Sequence, residues 1–507
     1  MKLFRIGHDF VYETGNLCFL FFPGERVEQA SQADVKSGDF IVTRLKKSRA
    51  SALALCMVCH GGRHGRAHER VEVTTEGFDK ECELALGRAF YRAAAEVCGF
   101  FPPWGTLTGI RPVKLLRAMR AQGMSDGEAA QRLAGRYYVT DEKATLLAET
   151  ADAQSGAIAL SRPESFSLYV SIPFCTSRCA YCSFVSHDIE KAAKLVPEYV
   201  RLLCEELAAT ARTAAQLGLR LETVYFGVGT PTSLSAGDLR RIMAAVSDNF
   251  DLSSLREYTV EAGRPDTLTA EKLEAIVEGG AGRISINPQT MDDAILRAVG
   301  RLHTAGDIRS AYGLARQAGV PAVNMDLIAG LPGDTPAGFE NTLRQVIALQ
   351  PEAVTVHTLA MKRSSELVTG GGAIYNAQGS AVNTMLLASG RLLHEARYRP
   401  YYLYRQKNSA GNLENTGWSL AGFEGLYNIY IMDETHTILS CGAGGVSKLR
   451  QPGGGRIERV FNFKYPYEYI SRFEQILDKK KQVTELYAEF AGQNADTAFG
   501  SQPRRRS

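Results

Sequence analysis

The sequence predicts an α/β fold built round an open, partial barrel, and three observations carry that expectation. Between about residue 165 and 375, short apolar runs with polar or glycine-bearing ends alternate with amphipathic helical periodicity. Such alternation calls for parallel strands joined by crossover helices. The runs number six, too few to close an eight-stranded barrel.

In chain order, residues 1–100 form an N-terminal α/β domain, with strand-like "NLCFLFF", "DFIVTRL" and "ALALCMV" before the helical run "DKECELALGRAFYRAAAEV". Residues 101–160, opening on "FPPWGTLTGIRPVKLL", are a helical connector, and "ADAQSGAIALSRPES" has the composition of a boundary. The core, 165–375, holds the strands "SLYVSI", "TVYFGV", "EYTVEA", "RISIN", "AVNMDLIAG" and "AVTVHTLA". Residues 376–490, with "YRPYYLYRQKN" and "FNFKYPYEY", form a small mixed C-terminal domain, and 491–507 a disordered tail.

With 507 residues, 45% hydrophobic and 22% charged, the composition is that of a soluble globular protein of more than one domain. A net charge of +3 implies no nucleic-acid partner. No run is apolar enough for membrane insertion and "MKLFRIGHDF" is not a secretory signal, so a cytoplasmic location is expected. There, ten cysteines argue for thiol, metal or core roles rather than disulfides.

Cys175, Cys179 and Cys182 follow the first barrel strand, where an α/β barrel places its active-site loops. Four cysteines would saturate a 4Fe-4S cluster; three leave one iron open, the mark of a catalytic centre. The rival readings are a Cys3His zinc set completed by His187 and a chance spacing of buried cysteines. Later strand ends offer Gly227, Gly229 and Thr230, then Glu261, Gln289 with Arg301 in the helix after it, and Asp326. Polar groups at the carboxyl ends of parallel strands line one mouth.

These motifs resemble the radical S-adenosylmethionine superfamily, and within it the oxygen-independent coproporphyrinogen III oxidase family: "LYVSIPFC", the cysteine run with Tyr181 before its last member, "GVGTPT", "RISINPQT" and "NMDLIAGLPG". The resemblance covers roughly residues 165–475. "WGTLTGIRPVKLL", "TVHTLAMKR" and "YYLYRQKNSAGNLENTGW" resemble the longer, HemZ-type coproporphyrinogen dehydrogenase branch. It implies a 4Fe-4S cluster on the three cysteines, with S-adenosylmethionine chelating the open iron. It also implies cosubstrate contacts at Tyr169, Tyr181, Gly227, Gly229, Thr230, Glu261, Gln289, Arg301, Asp326, His357 and Val446.

The activity so implied is oxidative decarboxylation of coproporphyrinogen III to protoporphyrinogen IX by a 5'-deoxyadenosyl radical, under anaerobic conditions, with a ferredoxin- or flavodoxin-type low-potential electron donor. Tyr169 would take part in catalysis. A haem chaperone or a radical methyltransferase acting on haem are the alternatives. A porphyrinogen carries carboxylates, so cations are expected at the mouth, Arg264 and Arg405 first, then Lys362, Arg363 and Lys407. Two positions depart from the family pattern: Phe184 stands where the best-known decarboxylating members have a cysteine, and Val228 replaces a glycine, which requires its φ to stay negative.

Other signals are set aside. "CMVCH" (Cys56, Cys59, His60) has the form of a covalent haem-attachment motif but closes an apolar strand; His64 and His68 read as a solvated loop. "CGAGGVSKL" lacks the order of a phosphate loop, and the resemblance makes it a loop packing on the adenosine. Cys18, Cys82, Cys98 and Cys204 read as core residues.

Overall fold

The computed structural model describes residues 1–30, 38–49, 51–72, 77–182, 184, 186–360, 375–406 and 409–499. Lys362, Arg363, Lys407 and the end of the tail, 500–507, lie outside the described residues.

The N-terminal sheet runs in the order Glu28–Gln29, Lys2–Ile6, Phe40–Lys47, Ser51–His60, Arg63–Glu72. In Ser51–His60, Ala52, Ala54, Cys56 and Val58 alternate inward, the period-two signature of a sheet with one buried face. That face packs on the helix Phe78–Cys98, which buries Phe90 and a run of alanines. Two expectations fail here. "NLCFLFF" is not a strand but the end of the helix Val11–Phe21, whose Leu17, Cys18, Leu20 and Phe21 face the same core. "RHGRAHE" is not a loop: it is the strand Arg63–Glu72, paired throughout with Ser51–His60.

Three helices follow, Pro112–Ala121, Asp126–Tyr137 and Asp141–Leu160. Ser125 and Glu128 form a capping box on the second. The third runs through most of the segment whose composition suggested a boundary, because Ala, Leu and Gln there bury one face.

The core is one sheet of eleven strands with seven parallel members: the six expected, in the spatial order Ala353–Thr358, Ala322–Ala329, Arg283–Ser285, Glu257–Glu261, Arg220–Val228, Ser165–Ile172, and Thr437–Cys441, which pairs parallel with the last of these. The strand sequence and the helices between them are those expected, an open partial barrel rather than a closed one. Four of the crossover helices start on a side-chain cap, at Ser235, Thr269, Thr304 and Thr335, whereas the first, Val196–Gln216, opens on Leu195 with a proline in its first turn. Strands from the C-terminal segment flank both edges: Arg399–Arg405 and Glu414–Ser419 beside the sixth parallel strand, and Thr437–Cys441, Val446–Arg450 and Ile457–Phe461 beside the first. The last helix reaches Phe499, so the beginning of the expected tail is helical. No helix among the described residues is long and apolar enough to cross a membrane.

Candidate functional site

The loop after the first barrel strand is closed by a two-residue parallel pairing, Phe174–Cys175 with His187–Asp188. Within it Cys182 N donates to Cys179 O (3.0 Å) and Ala180 N to Val299 O (3.0 Å), which pins the cysteine turn to the helix end at Val299. Cys175, Cys179 and Cys182 line one cavity of about 350 Å³. Cys175 Sγ shares a hydrogen bond with Thr230 Oγ1 (3.4 Å), and Arg264 Nη1 donates to Cys179 Sγ (3.5 Å). Burial raises the pKa of Cys175 and of Cys182, so a cation at this wall is needed for either to persist as a thiolate. His187 does not complete a zinc set: its ring packs 6.0 Å and 6.4 Å from those of Tyr465 and Tyr467. Among the described residues no three His, Cys, Asp or Glu are arranged to hold a single ion.

The opposite wall is made by strand ends. Tyr225 Oη donates to Glu261 Oε1 (2.7 Å). Burial, helped by the charge of Asp326, raises Glu261 to about 7. Burial also acts upward on Asp326, but His357, Asn324 and Thr355 outweigh it and hold that carboxyl below its usual range. Asn324 Nδ2 lies 2.7 Å from Asp326 Oδ1, and His357 Nε2 3.6 Å from its Oδ2. Two carboxyls in one cavity thus favour opposite protonation states, one able to donate and one to accept. Gln289 bridges to the fifth parallel strand through Asp326 O (2.8 Å) and Ile328 N (3.0 Å), at φ +68, and its Oε1 is buried without a partner. Arg301 joins the walls: Nε donates to Tyr181 Oη (3.1 Å) and Nη1 to Asn287 O (2.6 Å).

The floor is the turn after the second strand. Gly229 N donates to Ile172 O and Thr230 N to Phe174 O, so close that a Cβ on Gly229 would sit 2.5 Å from Phe174 O. Only glycine fits. Val228, just before it, takes φ +90, against the expectation of a negative φ; a β-branched residue pays for that geometry in strain.

Tyr181, Gly229, Thr230, Glu261, Gln289, Arg301, Asp326 and His357 are therefore brought to the cavity with the cysteines. Tyr169, Gly227 and Val446 are not among its lining. Tyr169 stands behind it, stacked on Tyr225 and Tyr427 with ring centroids 6.0 Å and 5.9 Å away. Gly227 leaves room for that ring, since a Cβ there would lie 2.9 Å from Tyr169 Oη. Val446 sits in a flanking strand. The glycine loop before it is clamped to the helix Val196–Gln216, Gly442 N donating to the buried Glu206 carboxylate (2.7 Å), and is not among the cavity's lining.

The two arginines expected to face carboxylates are also corrected. Arg405 is only 3% exposed and points away from the cavity: its guanidinium donates to Leu107 O and Asn412 O and lies over the Trp104 ring. Arg264 does line the cavity, but Cys179, Ser177 and Asp266 occupy its donors. The residues missed are Tyr225, Asn324, Thr355, Tyr402 and Tyr404, all in the lining. Parity would have found two of them, since Asn324 and Thr355 lie two residues before Asp326 and His357 and share their faces.

The comparisons agree with this geometry. The family model described as the radical SAM superfamily matches residues 169–346. The chain is 41% identical, over 81% of its length and 82% of the relative's, to the oxygen-independent coproporphyrinogen-III oxidase-like protein HemZ of Bacillus subtilis. It is 32% identical, over 60% of its length and 76% of the relative's, to the heme chaperone HemW of the same organism. The solved coproporphyrinogen III oxidase HemN of Escherichia coli, described as a radical SAM enzyme, superposes with a TM-score of 0.50 at 22% identity, over 64% of this chain and 72% of that one.

The protein is thus a member of the radical SAM superfamily, whose members use a 4Fe-4S cluster and S-adenosylmethionine. More particularly, it belongs to the oxygen-independent coproporphyrinogen-III oxidase-like family, HemZ type. The residues present fit that pair of groups. Three thiols line one wall, the cradle at Gly229 is one that a Cβ would fill, and the unpartnered Gln289 Oε1 awaits a donor.

Proposed function

We propose that the protein oxidatively decarboxylates propionate side chains of coproporphyrinogen III, with Cys175, Cys179 and Cys182 holding the cluster. The observation that carries this reading is the convergence of the three thiols with Glu261, Gln289 and Asp326 on one cavity, in a chain so similar to a coproporphyrinogen-III oxidase-like protein. When bound, the reduced cluster and S-adenosylmethionine would supply the radical chemistry that removes a hydrogen atom from a propionate β-carbon; forming the vinyl group with loss of carbon dioxide then also needs an external one-electron acceptor.

The chain's own residues bind and orient. Asp326, held ionised, and Glu261, raised to about 7 and so shared between its neutral and ionised forms near neutral pH, offer an acceptor and a donor to the hydroxyls and amine of the cosubstrate. Gly229 lets the backbone approach it, and Arg264 stabilises the sulfur of Cys179. Tyr402, Tyr404, Asn415 and Asn428 give the outer wall flat apolar faces and neutral hydrogen-bonding groups suited to a tetrapyrrole. A low-potential donor of ferredoxin or flavodoxin type completes the system.

Haem handling is the second reading, and one observation favours it: both arginines in the cavity lining are already engaged, and Phe184, 60% exposed, lines the mouth where a cysteine was looked for. The test is anaerobic incubation of the reconstituted, reduced protein with S-adenosylmethionine and coproporphyrinogen III. Carbon dioxide lost in two steps, each matched by one 5'-deoxyadenosine, supports decarboxylation. Cosubstrate cleavage without decarboxylation would shift the reading to haem handling. Cys179→Ala is expected to lose cluster iron and 5'-deoxyadenosine formation together.

A further inference from the structure

A second and larger chamber, about 540 Å³, lies between the N-terminal domain and the barrel. Its N-terminal side is the end of the helix Val11–Phe21, the tip of the Ser51–His60 and Arg63–Glu72 hairpin, and the end of the helix Phe78–Cys98; its barrel side includes Ser380, Ser409 and Asn412. The volume falls in the range of small-molecule sites, ~300–1,000 Å³. Phe19, Phe21, Phe22 and Phe100 supply aromatic surface, and Arg63 an exposed cation.

His60, the last residue of the discounted "CMVCH" motif, lines this chamber. Its Nδ1 lies 2.8 Å from Asp39 Oδ2, out of line for a hydrogen bond, and its ring meets Phe22 edge-on at 5.1 Å. Among the described residues Nε2 has no partner. The Phe22 contact holds the ring, and a carboxylate this near one imidazole nitrogen favours the proton there, leaving the other nitrogen free to act as a metal ligand. Cys98 adds no thiolate, because it donates to Phe21 O (3.7 Å) and burial pushes it up to about 11. Bare metal ions need several protein ligands, and no such set exists among the described residues. A metal held by one histidine in an aromatic chamber must bring its remaining ligands with it, as a flat chelating macrocycle does.

The chamber also shares walls with the barrel side. A smaller cavity shares Phe19 and Asn412 with it and Gln406 with the cysteine-lined cavity. Covalent attachment is ruled out by position: Cys56 is fully buried in the N-terminal core and Cys59 nearly so.

We propose that the N-terminal chamber is a non-covalent binding site for an iron porphyrin, with His60 Nε2 as axial ligand and Arg63 meeting a carboxylate of the macrocycle. This goes beyond the decarboxylase reading and does not depend on it. The experiment titrates hemin into the full chain without S-adenosylmethionine and follows the Soret band. One equivalent is expected to bind with a nitrogen-ligated spectrum. His60→Ala should bind at least tenfold more weakly and lose that spectrum, with free imidazole restoring it; His64→Ala, on the outer part of the hairpin, should bind as the unaltered chain does. Replacement of Cys175, Cys179 and Cys182 together by Ala should leave the titration intact. Unchanged binding by His60→Ala, no stoichiometric binding at all, loss of His60→Ala binding that imidazole fails to rescue, or loss only in the triple cysteine variant would each overturn the proposal. Decarboxylation is not read in this experiment, so its failure and that of the proposed reaction are separable.

Discussion

Glu261 shows how a single side chain couples the cavity to pH. Its carboxyl is raised from 4.5 to about 7, first by burial, so the folded state favours the neutral acid. The sign follows from linkage: the contribution is fully present below about 4.5 and is lost as pH rises through about 7. Protein free of S-adenosylmethionine should therefore lose stability over that interval, and Glu261→Gln should flatten the loss in denaturant titrations at several pH values. Asp326 acts oppositely, contributing above its unfolded pKa and losing that contribution only at more acidic pH. Val228 makes the other test at this scale. Its φ of +90 stores strain of about 1–3 kcal/mol, partly offset in a glycine variant by greater unfolded-state freedom. Val228→Gly should raise unfolding free energy by about 1 kcal/mol; a fall would mean that the valine packing outweighs the strain. The sequence marked this position as a departure but could not give its φ, because neighbouring backbone contacts at Ile172 and Phe174 impose it.

At the scale of elements, the alternation of strand and helix made the six parallel strands legible, and with them the strand ends Glu261, Gln289 and Asp326. The period-two and 3.6-residue patterns are long there and disagree with one another. "NLCFLFF" was misread because a short apolar run buried on most sides has no period that separates strand from helix. "RHGRAHE" was misread because an edge strand with one exposed face can be built almost wholly of polar residues. The pairing of distant segments was not legible at all. "WGTLTGIRPVKLL" and "YYLYRQKNSAGNLENTGW" turn out to be one packed unit: Trp104 Nε1 donates to Glu414 Oε2 (2.7 Å), Lys143 pairs with the same buried carboxylate, and Arg405 caps Leu107 O. Lys143→Met would strand the Glu414 charge and should cost about 3–5 kcal/mol, with Lys143→Met plus Glu414→Gln recovering part of it in equilibrium unfolding. Arg405→Ala leaves two buried carbonyls without their donor and should cost about 2–4 kcal/mol, while the folded fraction cleaves S-adenosylmethionine at an unchanged rate. A selective loss of substrate binding in that variant would instead restore Arg405 to the site.

At the scale of the whole molecule, the arrangement of the cores decides how the parts respond to ligands. The N-terminal sheet and its two helices bury their own apolar clusters, separate from the one that fills the barrel. The connector serves both: Arg136 pairs with Glu81 on the N-terminal side, while Arg111 and Arg117 pair with Glu434 and Asp433 of the C-terminal segment. On the barrel side the connector packs into the barrel's own apolar cluster through Trp104, Leu133 and Leu147, whereas on the N-terminal side it is held by the partly exposed Arg136–Glu81 pair and by Tyr138 against Tyr91, a weaker joint than a packed core. Two cores so joined should not melt as one. Calorimetry is therefore expected to resolve two transitions. S-adenosylmethionine at 100 times its Kd, bound to the reconstituted cluster, adds about 2.7 kcal/mol to whatever unit holds it. That increment should appear in the barrel transition and leave the N-terminal one nearly in place. Hemin seated between the two bodies should instead raise both, since its chamber draws walls from each. A single transition that moves as a unit with S-adenosylmethionine would show that the connector fuses the two cores, and the N-terminal domain would then be read as part of the barrel's own framework.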